Sequence, residues 1–292
     1  QAVMSGTMDC VIAAGVESMT RLPMHVVPKV YRDGGLGHYM SPEIRRRYPG
    51  PDFSQFIGAE MIAKKYDLSR ERLDAYALQS HERAIAATRA GAFAKEILPV
   101  AVRTADGAAS SEQHTVDEGI RFDATAAGIA AVKVLQEGGR ITAANASQVC
   151  DGASAVMIVN ERGLKASGLA PLARIHHMSV MGHDPVIMLE APLPATERAL
   201  KRSGMKIEDI GLFEVNEAFA PVPLAWLATT GADPARLNVH GGAIALGHPL
   251  GASGTKLMAT LVHALHARGQ RYGLQTMCEG GGMANVTIVE RI

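Results

Sequence analysis

The chain has 292 residues, 47% of them hydrophobic and 20% charged, a composition that builds one large or two smaller packed domains rather than a disordered segment. Lysine plus arginine and aspartate plus glutamate number 29 each, so no basic excess favours nucleic acid or an anionic membrane as a partner. No apolar run reaches the roughly 20 residues needed to cross a bilayer, and three widely spaced cysteines argue against a disulfide framework and for a reducing, cytoplasmic setting.

Taken in order, residues 9–15 form a continuous apolar run closed by Gly15, the pattern of a strand buried on both faces, with a turn over 15–18. From 21 to 54 the chain carries Pro23, Pro28, Pro42 and Pro51, a Gly34-Gly35-Leu36-Gly37 stretch and Arg45-Arg46-Arg47, and reads as long connections. Ser69 caps a helix that puts Leu73, Tyr76, Ala77, Ala84 and Ala87 on one face and ends near Gly91. Residues from about 105 to 139 show weak periodicity, and 154–159 is a second buried-strand run, so 24–147 reads as an insertion between core strands. Beyond Gly168 come a strand (173–181), a helix (196–203), a strand (211–215), a helix from Glu217 onward and a long helix (253–267) with Leu257, Met258, Leu261, Val262 and Leu265 on one stripe. Strands over 272–277 and 284–289 close the chain, and the alternation indicates an α/β fold.

Three segments combine reactive side chains with backbone freedom. Asn216-Glu217-Ala218-Phe219 ends a strand in an amide and a carboxylate, although Asn216 also suits a plain helix N-cap. The run from His240 to Gly254 is dense in glycine and encloses His248 between Gly247 and Pro249, with a spacing that matches neither the dinucleotide fingerprint nor the P-loop. Cys278-Glu279-Gly280-Gly281-Gly282 places a thiol at a strand end before a glycine turn whose N–H groups can face an oxyanion. Cys10 and Cys150 sit in apolar runs and read as small buried hydrophobes. A zinc site is disfavoured by the absence of a Cys-x-x-Cys pair, with the side chains of His176 and His177 diverging on their strand, and serine hydrolysis by the absence of a Gly-x-Ser-x-Gly elbow.

Together, Asn216-Glu217-Ala218-Phe219, Gly247-His248-Pro249-x-Gly251-x-Ser253-Gly254 and Cys278-x-Gly280-Gly281-Gly282 resemble the three C-terminal signature segments of the thiolase family. Ala14-Gly15-Val16-Glu17-Ser18-Met19 and Asn145-Ala146-Ser147-x-x-x-Asp151-Gly152-Ala153 are similar to further segments of that family, so the resemblance covers nearly the whole chain. It implies two related α/β halves in αβαβα layers with an inserted loop domain: 1–23 and 148–170 as the remainder of the N-terminal domain, 24–147 as the loop domain that binds coenzyme A, and 171–292 as the C-terminal domain.

The implied reaction is coenzyme A-dependent cleavage of a 3-ketoacyl-CoA, or the reverse condensation, through an acyl-cysteine. In the implied roles, Cys278 exchanges a proton with the acetyl-CoA α-carbon and His248 activates the nucleophile and binds the thioester oxygen. Asn216 holds a water in the same oxyanion hole, and the Gly280 N–H joins a second one. Ser147 contacts the pantetheine arm and Phe219 lines the pocket. The resemblance places the acyl-carrying cysteine ahead of Gln1, with Cys10 on the following strand. It implies no metal and no resident cofactor, coenzyme A and acyl-CoA as substrates, and a homodimer or homotetramer. Where acetoacetyl-specific members carry a His-Met pair, this chain has Phe56-Ile57 before Gly58, which points to longer or bulkier acyl groups. The Met277-to-Gly282 ending is similar to actinobacterial members, some of which shorten sterol side chains. Two other readings are a catalytically silent, thiolase-like binder of acyl-CoA or lipid and a ketosynthase, which uses a second histidine where Cys278 stands.

Overall fold

The computed structural model describes residues 1–24, 26–104 and 106–292; Ala105, where the weakly periodic stretch begins, and His25 lie outside this set. The first part of the chain holds β1 (Cys10–Ser18), α1 (Val26–Asp33), α2 (Pro42–Arg47), α3 (Gln55–Lys65), α4 (Arg70–Arg89), β2 (Val100–Arg103), β3 (Ala109–His114), α5 (Ala126–Ala130), β4 (Asp151–Val159) and α6 (Glu161–Ser167). The second holds β5 (Ala173–Gly182), α7 (Pro192–Ser203), β6 (Leu212–Val215), α8 (Pro221–Thr230), α9 (Ala243–Leu246), α10 (Ser253–Ala267), β7 (Tyr272–Glu279) and β8 (Met283–Arg291).

The centre of the fold is a four-stranded sheet in the order β5-β8-β7-β6, parallel between β6 and β7 and antiparallel elsewhere. Every residue of β6 is buried, because α10 covers one face of this sheet while α7 lies against the other. The stripe expected on α10 faces inward, with Leu257, Leu261 and Leu265 buried. Trp226 of α8 is fully buried against Phe213, and its indole N–H donates to Thr196 Oγ1 of α7 at 2.8 Å, which satisfies the one polar atom that its burial would otherwise strand. On its far side α10 meets β1 and β4, and α3 packs on α8, so helices and sheets alternate through the molecule.

The expected helix after Ser69 forms as α4, with Ser69 Oγ accepting from Arg72 N at 3.3 Å and the five apolar residues of its stripe all buried.

Several expectations need correction. The segments 9–15 and 154–159 are strands but are not buried on both faces. They pair only with each other, antiparallel from Cys10 opposite Val159 to Ser18 opposite Asp151, and their burial alternates residue by residue. The ribbon turns Gly15 toward the 249–252 loop, while Ile12 and Val16 are 68% and 76% exposed. An unbroken apolar run also arises when both faces carry apolar residues and only one is covered, and periodicity alone does not separate the two cases. Residues 15–18 continue β1 rather than turning. Cys10 stands on the open face and is exposed, and Cys150 is half-buried, so neither is a core hydrophobe. The stretch 21–54 contains α1 and α2 and is not wholly connection; Pro42 sits at the start of α2, where its missing N–H costs nothing. Arg45 pairs with Asp52, Arg46 with Glu43, and Arg47 lies over the Tyr48 ring, so this triplet is engaged by its neighbours. The helix after Asn216 begins only at Pro221, which removes the N-cap reading of that residue.

Gly15 marks how tightly the ribbon meets the rest: a Cβ there would collide with the carbonyl of Gly251, three residues after His248. Gly15→Ala is therefore expected to destabilise the protein by about 1–3 kcal/mol, read as a lower urea midpoint at unchanged slope; an unchanged midpoint would show that the contact is not held in solution.

Candidate active site

A cleft of about 630 Å3 opens where the segment 145–148 crosses the turns that follow β6 and α9. Its wall includes Met19, Phe56, Leu135, Ser147, Phe219 and His248. Backbone hydrogen bonds explain why these residues converge although they lie far apart in sequence. Ser147 N donates to Ala218 O at 3.0 Å and Ala220 N to Asn145 O at 2.8 Å, so the 145–147 stretch runs beside the Asn216-to-Phe219 turn. His248 N donates to Gln148 O at 3.0 Å, while the Gln148 side-chain amide donates to Gly119 O at 2.6 Å and Ile244 O at 2.7 Å. One short strap thus holds both motif turns.

Beneath the strap lies a fully satisfied buried carboxylate. Glu217 is 1% exposed, and its two oxygens accept from four donors: Tyr76 OH (2.9 Å) and Asn238 Nδ2 (3.0 Å) on Oε1, Ser80 Oγ (2.7 Å) and Ile244 N (3.0 Å) on Oε2. Burial in this network pushes the Tyr76 hydroxyl well above the usual tyrosine range, with the Glu217 charge adding to the effect. Asn238 also grips the end of β6, accepting from Val215 N and donating to Val215 O, both at 2.9 Å. A Cβ on Gly242 would run into the Glu217 carboxyl, so the turn before α9 closes onto that group only with glycine.

His248 has both ring nitrogens engaged. Ser253 Oγ donates its one proton to Pro249 O at 3.0 Å, so toward His248 Nδ1, 2.5 Å away, it accepts. That fixes the proton on Nδ1 and leaves the Nε2 lone pair free to accept from Asn216 Nδ2 at 3.3 Å. Desolvation, helped by the Lys256 charge, pulls the imidazole pKa down to about 4, so the ring is neutral at physiological pH. Its Nε2 is a base with no proton of its own to lose.

The parallel pairing of β6 with β7 brings the third motif close: Asn216 N donates to Thr276 O at 3.1 Å, and Cys278 follows two residues along β7. Cys278 is 9% exposed within the main hydrophobic core, and burial pushes its thiol up to about 12, so it is held as a protonated thiol. The turn after it is clasped from outside, with His183 N donating to Gly282 O at 2.7 Å. Gly280 is exposed at this turn.

Of the six residues singled out from sequence, Ser147, Phe219 and His248 form the cleft wall and Asn216 stands directly behind His248. Cys278 and Gly280 belong to the adjoining strand end and turn and are not among the cleft-lining residues. Sequence reasoning did not single out Glu217 as the anchor of the site, nor Tyr76, Ser80 and Asn238 as its donors, nor Ser253 as the partner of His248. Ser253, five residues beyond His248 at the first position of α10, was the one with a readable signal.

Comparison with known proteins places the chain among relatives. Residues 1–162 match the family model of the thiolase N-terminal domain and residues 169–291 that of the thiolase C-terminal domain. The chain is 51% identical over 294 residues to the steroid 3-ketoacyl-CoA thiolase FadA6 of Mycobacterium tuberculosis, covering 100% of this chain and 70% of that protein. It is 39% identical over 300 residues to a 3-ketoacyl-CoA thiolase of Bacillus subtilis, covering 99% of this chain and 73% of that protein. The crystal structure of human mitochondrial 3-ketoacyl-CoA thiolase in complex with CoA aligns with a TM-score of 0.86 at 36% identity, over 100% of this chain and 73% of that one.

The lowered His248 pKa carries a stability consequence. As pH falls below 6.5 the unfolded chain binds a proton at this residue, whereas the folded protein resists doing so until about pH 4. Between those values the histidine therefore costs the folded state stability on acidification. Comparing His248→Asn with the parent by denaturant titration across this window should show a shallower loss for the variant; identical slopes would place the imidazole in water.

Proposed function

The chain belongs to the thiolase family, and we propose that its cleft performs the acyl transfer of that family on 3-ketoacyl-CoA substrates with longer or bulkier acyl groups than acetoacetyl. The observation that carries this reading is the neutral His248, oriented by Ser253 and paired with Asn216 on the wall of a largely apolar cleft.

In this account coenzyme A enters as a substrate. Ser147 meets the pantetheine arm, and Phe219 with Phe56, which stack edge to face at 5.5 Å, line the passage for it. The nucleophilic thiol gives its proton to His248 Nε2, its thiolate attacks the 3-keto carbon, and an acyl-cysteine forms as the bond between C2 and C3 breaks. The departing acetyl-CoA carbanion takes its proton from Cys278, whose thiol is kept protonated by burial and can act as an acid. Coenzyme A then gives its thiol proton back to Cys278 and attacks the acyl-cysteine, whose sulfur leaves with the proton held on His248, giving an acyl-CoA two carbons shorter. Negative charge that collects on the thioester oxygen is met by the His248 Nε2–H formed when the ring takes the nucleophile's proton, and by a water held at Asn216. Charge on the acyl-enzyme oxygen is met by the Gly280 N–H.

None of the three cysteines suits the acyl-carrying role: Cys10 lies on the outer face of β1, Cys150 is a thiol raised by burial and faces Gly247, and Cys278 is committed as the acid. The acyl-carrying cysteine of this account is therefore none of these three.

The preference for bulky acyl groups is supported by Phe56 on the cleft wall in place of a His-Met pair, and by the 51% identity to a protein named for steroid 3-ketoacyl-CoA. The reading includes the domain division 1–23 with 148–170, 24–147 and 171–292, assembly into a homodimer or homotetramer, and a cytoplasmic location. Among the described residues no helix is long and apolar enough to cross a membrane.

The test is coenzyme A-dependent loss of 3-ketoacyl-CoA by the full-length protein, offered acetoacetyl-CoA beside a long-chain or sterol-derived substrate. The bulky substrate is expected to show the higher kcat/KM, and His248→Ala to lower kcat by about 100-fold or more. Binding of acyl-CoA without turnover of either would replace the enzyme by a binding homologue.

A further inference from the structure

Behind the His248–Asn216 pair, between α10 and the β6 edge of the sheet, lies a second, much smaller cavity. Its walls include Glu214, Asn216, Gly242, Ser253, Lys256 and Thr260, and its volume of about 10 Å3 suits a single water. Glu214 and Asn216 are two residues apart along an extended segment and so face the same side. Each leaves a fully buried oxygen without a partner among the described residues: Glu214 Oε2 and Asn216 Oδ1. Glu214 is 2% exposed and among the described residues makes no side-chain hydrogen bond, and the side-chain oxygen of its register neighbour Gln275 is likewise unpartnered there. Buried polar groups of this kind are costly unless something fills the gap.

The donors nearby are mostly spent. Ser253 gives its proton to Pro249 O, Thr260 gives its proton to Glu96 Oε1 at 3.2 Å, and Lys256 Nζ serves Leu246 O at 2.9 Å and Asp117 at 3.3 Å. Two acceptors facing one cavity need a donor between them. The groups acting on Glu214 are Glu217 and Glu96, which disfavour its charge, and Lys256 and Arg83, which favour it more weakly than burial opposes it. Its carboxyl is thereby held well above the usual carboxylate range and carries a proton to donate.

We propose that this cavity holds one ordered water bridging the Glu214 carboxyl to Asn216 Oδ1, and that Glu214 is through it a positioning residue for the Asn216 amide. The consequence is directional. With Oδ1 tied back into the cavity, Nδ2 must point forward to His248 Nε2 and the cleft, which is the orientation the catalytic reading requires. A flipped amide would set an oxygen against the Nε2 lone pair and leave no amide N–H to hold the water that meets the developing oxyanion. The inference rests on the function proposed above, and its test is arranged so that the two can fail separately.

A high-resolution crystal structure of the parent protein is the first arm. Density for one water within hydrogen-bond distance of both Glu214 and Asn216 is expected, and an empty cavity overturns the proposal whether or not the protein is an enzyme. The second arm compares Glu214→Gln, which keeps a neutral donor of the same shape, with Glu214→Leu, which removes it. Gln is expected to retain the water and kcat within about 3-fold, and Leu to lose the water and lower kcat by up to about 100-fold at nearly constant KM. A Gln variant as impaired as Leu would show that a charged carboxylate is needed, and a Leu variant with parental kcat would show that Asn216 is oriented by other means. Should Leu fail to fold, the parent density and the Gln variant still decide the matter.

Discussion

The buried carboxylate of Glu217 is the constraint on which the site is built. A carboxylate taken out of water costs several kcal/mol unless its lone pairs are filled, and here the four donors come from three separate parts of the chain: α4, the turn at Asn238 and the start of α9. None of these can leave without stranding the charge. The turn that carries Asn216 and the turn that leads to His248 are therefore tied to each other and to a helix from the segment expected to be an insertion. Docking of α4 and assembly of the site become one cooperative event, which explains why the 145–148 strap can lie across both turns with so few residues.

The second theme is that the groups beside the cleft are kept uncharged at rest. His248 is neutral, Cys278 is a protonated thiol, and Glu214 is held above the usual carboxylate range, in each case chiefly because burial penalises the ion. A site of this kind has little charge of its own to neutralise an incoming thioester. It is arranged so that charge appears only as the reaction proceeds, facing donors that are already oriented. Ser253 contributes by fixing the histidine tautomer, which a ring free to rotate would not maintain.

The sequence carried the α/β class, the principal strands and helices of the second half, the capped helix at Ser69 and the three reactive segments, because each depends on local pattern or on short motifs. The residues that were not legible act across long separations. Tyr76 and Ser80 meet Glu217 from 141 and 137 residues away, and nothing in their own neighbourhood distinguishes them from ordinary members of an amphipathic helix. Burial was misjudged for β1 and β4 because an apolar run does not reveal how many of its faces are covered, and the start of α8 was misplaced because a turn of four residues separates Asn216 from Pro221. Cys10 and Cys278 make the same point in opposite directions: the thiol in the apolar run is exposed, and the one beside the glycines is buried.

The central claim is that the Glu217-anchored turns present His248 and Asn216 to the thioester of a coenzyme A substrate. A crystal structure of the protein with a non-hydrolysable acyl-CoA analogue tests it most directly. The account predicts the pantetheine arm beside Ser147 and Phe219, with the thioester oxygen turned toward His248 Nε2 and within hydrogen-bond distance of a water on Asn216 Nδ2. An analogue that leaves this cleft empty, or that binds with its thioester turned away from His248, would contradict it.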